Sequence, residues 1–315
     1  MAGNNTRPSR PPKNHSRDVI LRPFALLRAD FSRPFRAKRG TCFPFSMAGG
    51  PIQQPARTVL VLAVCFLAVC LGASPASFGA QQQAPPALPS RISPQAQKLL
   101  DRTLQALGGP AFLHYKTVST TGNVFAISYG QTAGYAPFKS TFEAPDKRRF
   151  SYGKGKPVIL INNGDQAWEL DRLGRTHQNP EQKRGWEIAN RYSLDNLLRF
   201  RIREPGVLIL ASGVDFIDNQ PVDAIDVIDS HNVHVKLYVH RSTYLPVRII
   251  YRVENPNTRE WEDYADDYSD YQPFQGINTP MHTTRYLDGE RIGELFRSSA
   301  RYNVTIPPNY FEPSR

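Results

Sequence analysis

Hydrophobic and polar residues alternate most regularly between Val233 and Val253, VHVKLYVHRSTYLPVRIIYRV. In the first arm Val233, Val235, Leu237 and Val239 fall on one face and His234, Lys236, Tyr238 and His240 on the other. That is the period of two expected of a strand with one side on a core. In the second arm Val247, Ile249, Tyr251 and Val253 face one way and Arg248, Ile250 and Arg252 the other. Pro246 opens this arm, where a missing backbone donor does little harm. The arms predict an antiparallel hairpin with one apolar and one wet face.

The rest of the chain from residue 93 reads as more sheet around this hairpin. Ser93-Pro94 predicts a helix start, Leu99, Leu100, Leu104 and Leu107 make an apolar stripe, and Gly108-Gly109 ends it. Five short β-rich runs then follow from Thr117 to Asp171, separated by Gly, Pro, Asn and Asp, with Asn163-Gly164-Asp165 a hairpin turn. Successive strands without long crossovers predict an antiparallel meander. From Pro180 to Arg203 the apolar spacing changes to threes and fours, with Ser193 placed to cap, so a helical insert is expected. Strands resume around Gly206–Ile217 and Val222–Asp229, and again over Trp261–Tyr271, His282–Leu287 and Ile292–Ile306.

The expected fold is mainly β within the α+β class: a curved antiparallel half-barrel of about ten to eleven strands covered by helices. A sheet of that length, apolar on one face, must curl or be covered. A curled sheet with helices over its mouth encloses a space suited to apolar ligands. The alternating strands nominate Phe142, Ile159, Trp168, Leu170, Ile225, Val227, Leu237, Val239, Ile249 and Tyr251 as lining. For each of them ordinary core packing is the competing assignment.

Composition changes the picture chiefly at the front of the chain. Thr58 to Ala73 is an apolar run of sixteen uncharged residues, shorter than the ~20 of a spanning helix. With Arg57 before it, Met47 as a start, and Ser74, Ala76 and Ala80 after it, it reads as a signal-peptide core. The organisation expected is a leader or upstream translation artefact at 1–46, a signal peptide at 47–80, a Pro/Gln-rich linker at 81–92 and one β domain at 93–315. An uncleaved anchor at 58–73, or lipidation at Cys70 in Leu67-Ala68-Val69-Cys70, are the alternatives. The net charge of +11 is uneven, since residues 81–315 hold 28 basic and 26 acidic side chains. The folding part therefore lacks a nucleic-acid footprint. Cys42, Cys65 and Cys70 all precede residue 80, which removes disulfide, thiolate and zinc-thiolate chemistry from the expected mature chain.

Candidate chemistry is sparse. His231, His234 and His240 are the densest histidine group, but their strand spacing sends them to different faces, so no metal site is expected. Glu260 to Asp270, EWEDYADDYSD, lacks the glycine and spaced oxygens of a calcium loop and reads as a solvated acidic strand edge. Gly153-Lys154-Gly155-Lys156 lacks the length of a phosphate loop and reads as a hairpin turn. G-x-S-x-G, H-E-x-x-H and C-x-x-C motifs do not occur in the expected mature chain.

One ordered set of short motifs suggests a family. It runs from Ala106-Leu107-Gly108-Gly109 through Ala144-Pro145-Asp146-Lys147-Arg148 to Asn163-Gly164-Asp165-Gln166-Ala167-Trp168. It continues with Thr243-Tyr244-Leu245-Pro246-Val247-Arg248, Tyr268-Ser269-Asp270-Tyr271, Gly276-Ile277-Asn278-Thr279-Pro280, Asn303-Val304-Thr305-Ile306 and Phe311-Glu312-Pro313. Over residues 93 to 313 the chain resembles the LolA/LolB-like lipoprotein-carrier superfamily, the bacterial outer membrane lipoprotein-sorting proteins. The resemblance implies an antiparallel half-barrel whose apolar cavity holds acyl chains, without catalysis and without a cofactor. The expected protein is exported or periplasmic. Its partners would be lipid or acylated protein and an envelope protein, not nucleic acid, and its membrane contact transient or through the N-terminal segment. The alternative is an envelope interaction or sensor module with a closed core and no ligand.

Overall fold

The structure is a computed structural model that describes residues 91–314. The expected leader, the signal peptide and all but the last two linker residues lie outside the described residues. Those two, Arg91–Ile92, form a short strand β1 that pairs in parallel with Leu208 and Ile209, so the sheet begins ahead of the expected boundary.

Helix α1, Pro94–Leu107, forms where the leucine stripe predicted it. The Ser93 hydroxyl accepts from the Ala96 N–H at 3.3 Å and Pro94 occupies the first turn, so both start signals act. Gly108 ends the helix at φ 126°, and a Cβ there would meet the Gly276 carbonyl oxygen at 2.3 Å. Only glycine satisfies both the positive φ and that approach. A short helix α2, Pro110–His114, follows.

Strands β2 (Thr117–Ser128), β3 (Gln131–Glu143), β4 (Lys147–Tyr152), β5 (Val158–Asn163) and β6 (Gln166–Leu170) form the expected meander. The residue 153–156 segment is the turn between β4 and β5. A short edge strand β7, Arg175–His177, was not expected. The helical insert comprises α3 (Pro180–Arg191) and α4 (Leu194–Arg199), the latter capped by Ser193 as the spacing predicted. A 3-10 turn, Arg201–Arg203, then leads to β8 (Leu208–Ile217), β9 (Gln220–Ile228), β10 (His234–His240) and β11 (Pro246–Glu254). The last three strands are β12 (Trp261–Phe274), β13 (Ile277–Leu287) and β14 (Glu290–Tyr302).

All the strands join one open, curved sheet in the order β1-β8-β9-β10-β11-β12-β13-β14-β2-β3-β4-β5-β6-β7. The described residues thus hold fourteen strands, not ten to eleven. The short edge strands β1 and β7 lack any period-two run long enough to read. The β10–β11 hairpin pairs Val235 with Tyr251 and Leu237 with Ile249, placing the apolar rows face to face as expected. A bulge after Tyr238 leaves Val247 out of the pairing, and Val247 packs with Val222, Ala224 and Ile250 on the opposite side of the sheet.

Directly opposed residues share a face, so the ladders trace one inner face across the sheet. It runs through Leu237, Ile249, Asp266, Arg285, Gly293 and Ala126. Leu100 and Leu107 of α1 and Leu197 and Leu198 of α4 pack onto it, in one cluster with Ile225, Val235, Leu237, Ile249 and Tyr251. Removing each such side chain from water contributes about 1.5–3 kcal/mol, the main term holding helices to sheet. A second cluster lies on the outer face, where Ile306, Tyr310 and Phe311 of the C-terminal segment cover Ile159, Ile161, Trp168 and Leu170.

The acidic run is not a sheet edge. β12 is flanked by β11 and β13, and its carboxylates meet arginines across the ladders. Asp263 pairs with Arg252, Asp267 with Arg248, and Asp266 with Arg285, while Glu262 reaches Arg184 on α3. Asp266 is 2% exposed and Glu262 8%, so these two carboxylates are buried on the inner face, while the Arg285 side chain paired with Asp266 keeps 37% exposure.

Candidate functional site: an apolar cavity beneath helix α3

Inner-face packing is not uniform. Where the sheet passes from β13 through β14, β2 and β3 to β4, the helices do not fill the space, and a cavity of about 350 Å³ remains. Its sheet wall carries Val118, Thr120, Val124, Ser140, Phe142, Leu295 and Ile277. Small side chains account for the space: Thr120 and Ser140 stand opposite each other, and Gly293 opposes Arg285. Leu107, Phe112 and Tyr115 close one end, and Trp186 and Ala189 of α3 with Leu194 of α4 form the roof.

The roof helix is held differently from α1. Helix α1 buries Ala96, Leu100, Thr103 and Leu107, whereas none of the side chains of α3 is fully buried. Asn179 and Gln182 form a capping box at its start, and Pro180 fills the first turn, so its ends are well specified. Its links to the sheet and neighbouring loops are largely polar. Arg184 donates to Glu262 at 2.8 Å, Arg191 to Glu204 at 2.7 Å and to Asp229 at 3.1 Å, and Asn190 to the Pro145 carbonyl at 3.0 Å. Lifting the helix would part these half-buried pairs, at a cost set by how readily water reaches both partners as they separate.

Charge inside the cavity is asymmetric. Arg148, Arg285 and Arg297 line it, as do Asp195 and Glu294. Arg285 is neutralised by two hydrogen bonds to Asp266 at 2.7 Å; burial works against its charge, and Asp266 more than offsets that, leaving its pKa raised. Glu294 accepts from Arg291 at 2.6 Å, and Asp195 accepts the Tyr115 hydroxyl proton. Burial, then Asp195, pushes the Tyr115 phenol well above its usual range. Arg297 donates to the Pro280 carbonyl at 2.8 Å and to Thr283 Oγ1 at 2.9 Å. Arg148 lies over the Trp186 ring with its guanidinium 3.9 Å from the centroid, and its Nε has no hydrogen-bond partner among the described residues. Burial, and then the like charge of Arg285, lower its pKa to about 9, so it stays a cation at neutral pH.

No family model matches the chain. No curated protein matches it either. Among solved structures, an outer membrane lipoprotein-sorting protein domain from Vibrio parahaemolyticus is 11% identical over 69% of this chain and 97% of its own, with a TM-score of 0.46. A DUF1329 family protein from Desulfovibrio piger is 13% identical over 69% of this chain and 97% of its own, also at 0.46. A LolA superfamily protein from Nitrosomonas europaea is 12% identical over 69% and 96%, at 0.43. The chemistry of this chain rests on its own side chains.

Of the residues nominated for the lining, the structure brings only Phe142 to the cavity wall. Ile225, Val227, Leu237, Val239, Ile249 and Tyr251 share the inner face but lie under α1 and α4 as packed core. Ile159, Trp168 and Leu170 lie on the other face. Phe142 opposes Arg148, Arg148 opposes Asn162, and Asn162 opposes Ala167, which puts Ile159, Ile161, Trp168 and Leu170 outside, beneath the C-terminal segment. Alternation separates two faces of a strand but does not say which one is inner. The missed lining is Thr120, Ser140, Arg148, Trp186 and Arg297, polar or amphipathic residues that an apolar-stripe criterion passes over. The signal available was the row of small residues on β2, where Thr120, Gly122 and Val124 alternate on the face of Phe142.

The histidines do not converge. His231 Nδ1 lies 3.6 Å from Asp229, and His240 Nδ1 accepts from the Ser242 and Thr243 N–H groups of its own turn. Among the described residues no group of three or more His, Cys, Asp or Glu is gathered to hold a metal ion. No helix there is long and apolar enough to cross a membrane.

Proposed function

We propose that the chain is an exported, non-catalytic binder that holds an acyl chain of a lipid or lipidated protein in the cavity beneath α3. The observation that carries this reading is the unfilled, largely apolar space on the inner face, roofed by a helix with no fully buried residue. At about 350 Å³ it lies near the lower end of ligand cavities and suits one chain rather than several. Each methylene taken from water would contribute about 0.8 kcal/mol, so a chain of ordinary length supplies ample affinity without specific polar contacts. A tilt of α3 away from the sheet would widen the way in.

Native mass spectrometry of the full chain, expressed with its N-terminal segment in a Gram-negative host, tests the reading. A co-purifying mass released by organic extraction as a phospholipid or fatty acyl species is the expected result. A clean apo mass, with no uptake of added lipid, would overturn it and favour an envelope protein-interaction module.

A further inference from the structure

The proposed acyl cavity contains a cation that no carboxylate among the described residues neutralises. Arg148 projects from β4 into the lining, its guanidinium lies on the Trp186 ring, its Nε is buried and unbonded, and no carboxylate among the described residues pairs with it. The charge that acts on it is another arginine, Arg285, already committed to Asp266. The two remaining acids of the lining, Asp195 and Glu294, are engaged by Tyr115 and Arg291. A half-buried arginine with an unbonded Nε and no carboxylate partner carries an unmet demand for an acceptor, which an arriving anion meets. The flat guanidinium supplies parallel N–H donors suited to a carboxylate or phosphate, and Trp186 holds its plane in register.

Resting on the acyl-binding reading, we propose that the ligand is an anionic amphiphile whose head group is bound by Arg148, facing Arg285, while its chain lies along Val118, Val124 and Leu295. The site thus selects fatty acids or acidic lipids over neutral ones of equal chain length. Arg148 acts as a specificity determinant, and Trp186, on the roof helix, couples head-group binding to closure.

The test is displacement of the uncharged fluorophore N-phenyl-1-naphthylamine from the full chain by tetradecanoate, tetradecyl phosphate, 1-tetradecanol and inorganic phosphate. The two anionic amphiphiles should displace it about tenfold more tightly than the alcohol, the range of one charge-assisted pair. Preference for one of them identifies the head group as carboxylate or phosphate. Inorganic phosphate should displace nothing, and displacement by it would overturn the amphiphile assignment. In R148M the anionic preference should vanish while the alcohol keeps its affinity. Equal binding of all three amphiphiles by the unmodified chain overturns the anion site and leaves the acyl cavity standing. Failure of every amphiphile overturns both. The comparison among ligands on the unmodified chain decides the matter even where R148M fails to fold.

Discussion

Two stretches of the same inner face obey the same alternation and end differently. On β9 to β11, Ile225, Leu237, Val239, Ile249 and Tyr251 are each 0–1% exposed, locked under α1 and α4, with Tyr251 between Tyr192 at 4.7 Å and Tyr264 at 5.2 Å. From β13 to β4 the inward positions are Thr283, Gly293, Thr120, Ser140 and Arg148 among larger apolar residues, and space is left. The roof differs too, since α1 inserts leucines whereas α3 rests on charge pairs. A curved sheet therefore becomes core or cavity according to side-chain volume and to the helix placed over it, not according to its hydrophobic period.

The sharpest way to break this contrast is to exchange the treatment of the two stretches. Leu237→Ala in the packed half should cost about 2–5 kcal/mol in urea unfolding, because no neighbour can move to fill the hole. Thr120→Phe in the open half should change stability by less than about 1 kcal/mol, since the ring enters existing space, yet abolish acyl binding. If Leu237→Ala spared stability and abolished binding, the assignment of core and cavity would be reversed.

This division marks how far the sequence could be read. The strands of the meander, the β10–β11 register, the start and end of α1 and the cap of α4 were legible because each rests on local chemistry: alternation, a proline, a serine hydroxyl, a glycine at positive φ. The cavity was not. Phe142 falls on the inner face and Trp168 on the outer though both sit in equally clear strands, because the inner side of β5 and β6 is fixed by pairing seven and eight ladders away from the hairpin. The outer side is covered by Phe311, a contact more than 140 residues distant in sequence. In the sequence Arg148 is one of three consecutive basic residues at a strand start, and its isolation from carboxylates among the described residues is a property of the assembled fold.

Acid should separate the two roofs. Burial alone would raise the carboxyls of Asp229, Glu204 and Glu262. Hydrogen bonds outweigh it: from the Val233 N–H, Tyr192 and His231 N–H for Asp229, from Arg201 and Arg191 for Glu204, and from Arg184 and Asn255 for Glu262. All three end below their ordinary values of 3.8, 4.5 and 4.5. Their stabilisation is complete above those values and lost as pH falls through the lower folded ones. Because all three acids receive Arg184 or Arg191, α3 should detach first. With Trp168→Phe and Trp261→Phe leaving Trp186 as the reporter, its fluorescence should change below pH ~4 before the far-ultraviolet strand signal does. Coincident transitions would mean that α3 is as firmly seated as α1.

A smaller change works in the opposite direction. Gly185 lies inside α3, and a Cβ built there meets nothing within 4 Å. Glycine at such a position costs a helix about 0.5–1 kcal/mol relative to alanine, through the backbone freedom it must give up. Gly185→Ala should therefore favour the ordered roof without touching the lining. If release of the acyl chain requires α3 to fray or tilt, that preference slows dissociation by about two- to fivefold while the association step is reduced by a similar factor, so the equilibrium affinity moves little. Stopped-flow dilution of the fluorophore-loaded chain measures both. Unchanged rates in a variant whose thermal midpoint has risen would show that ligands enter elsewhere along the cavity and that α3 is a fixed wall rather than a lid.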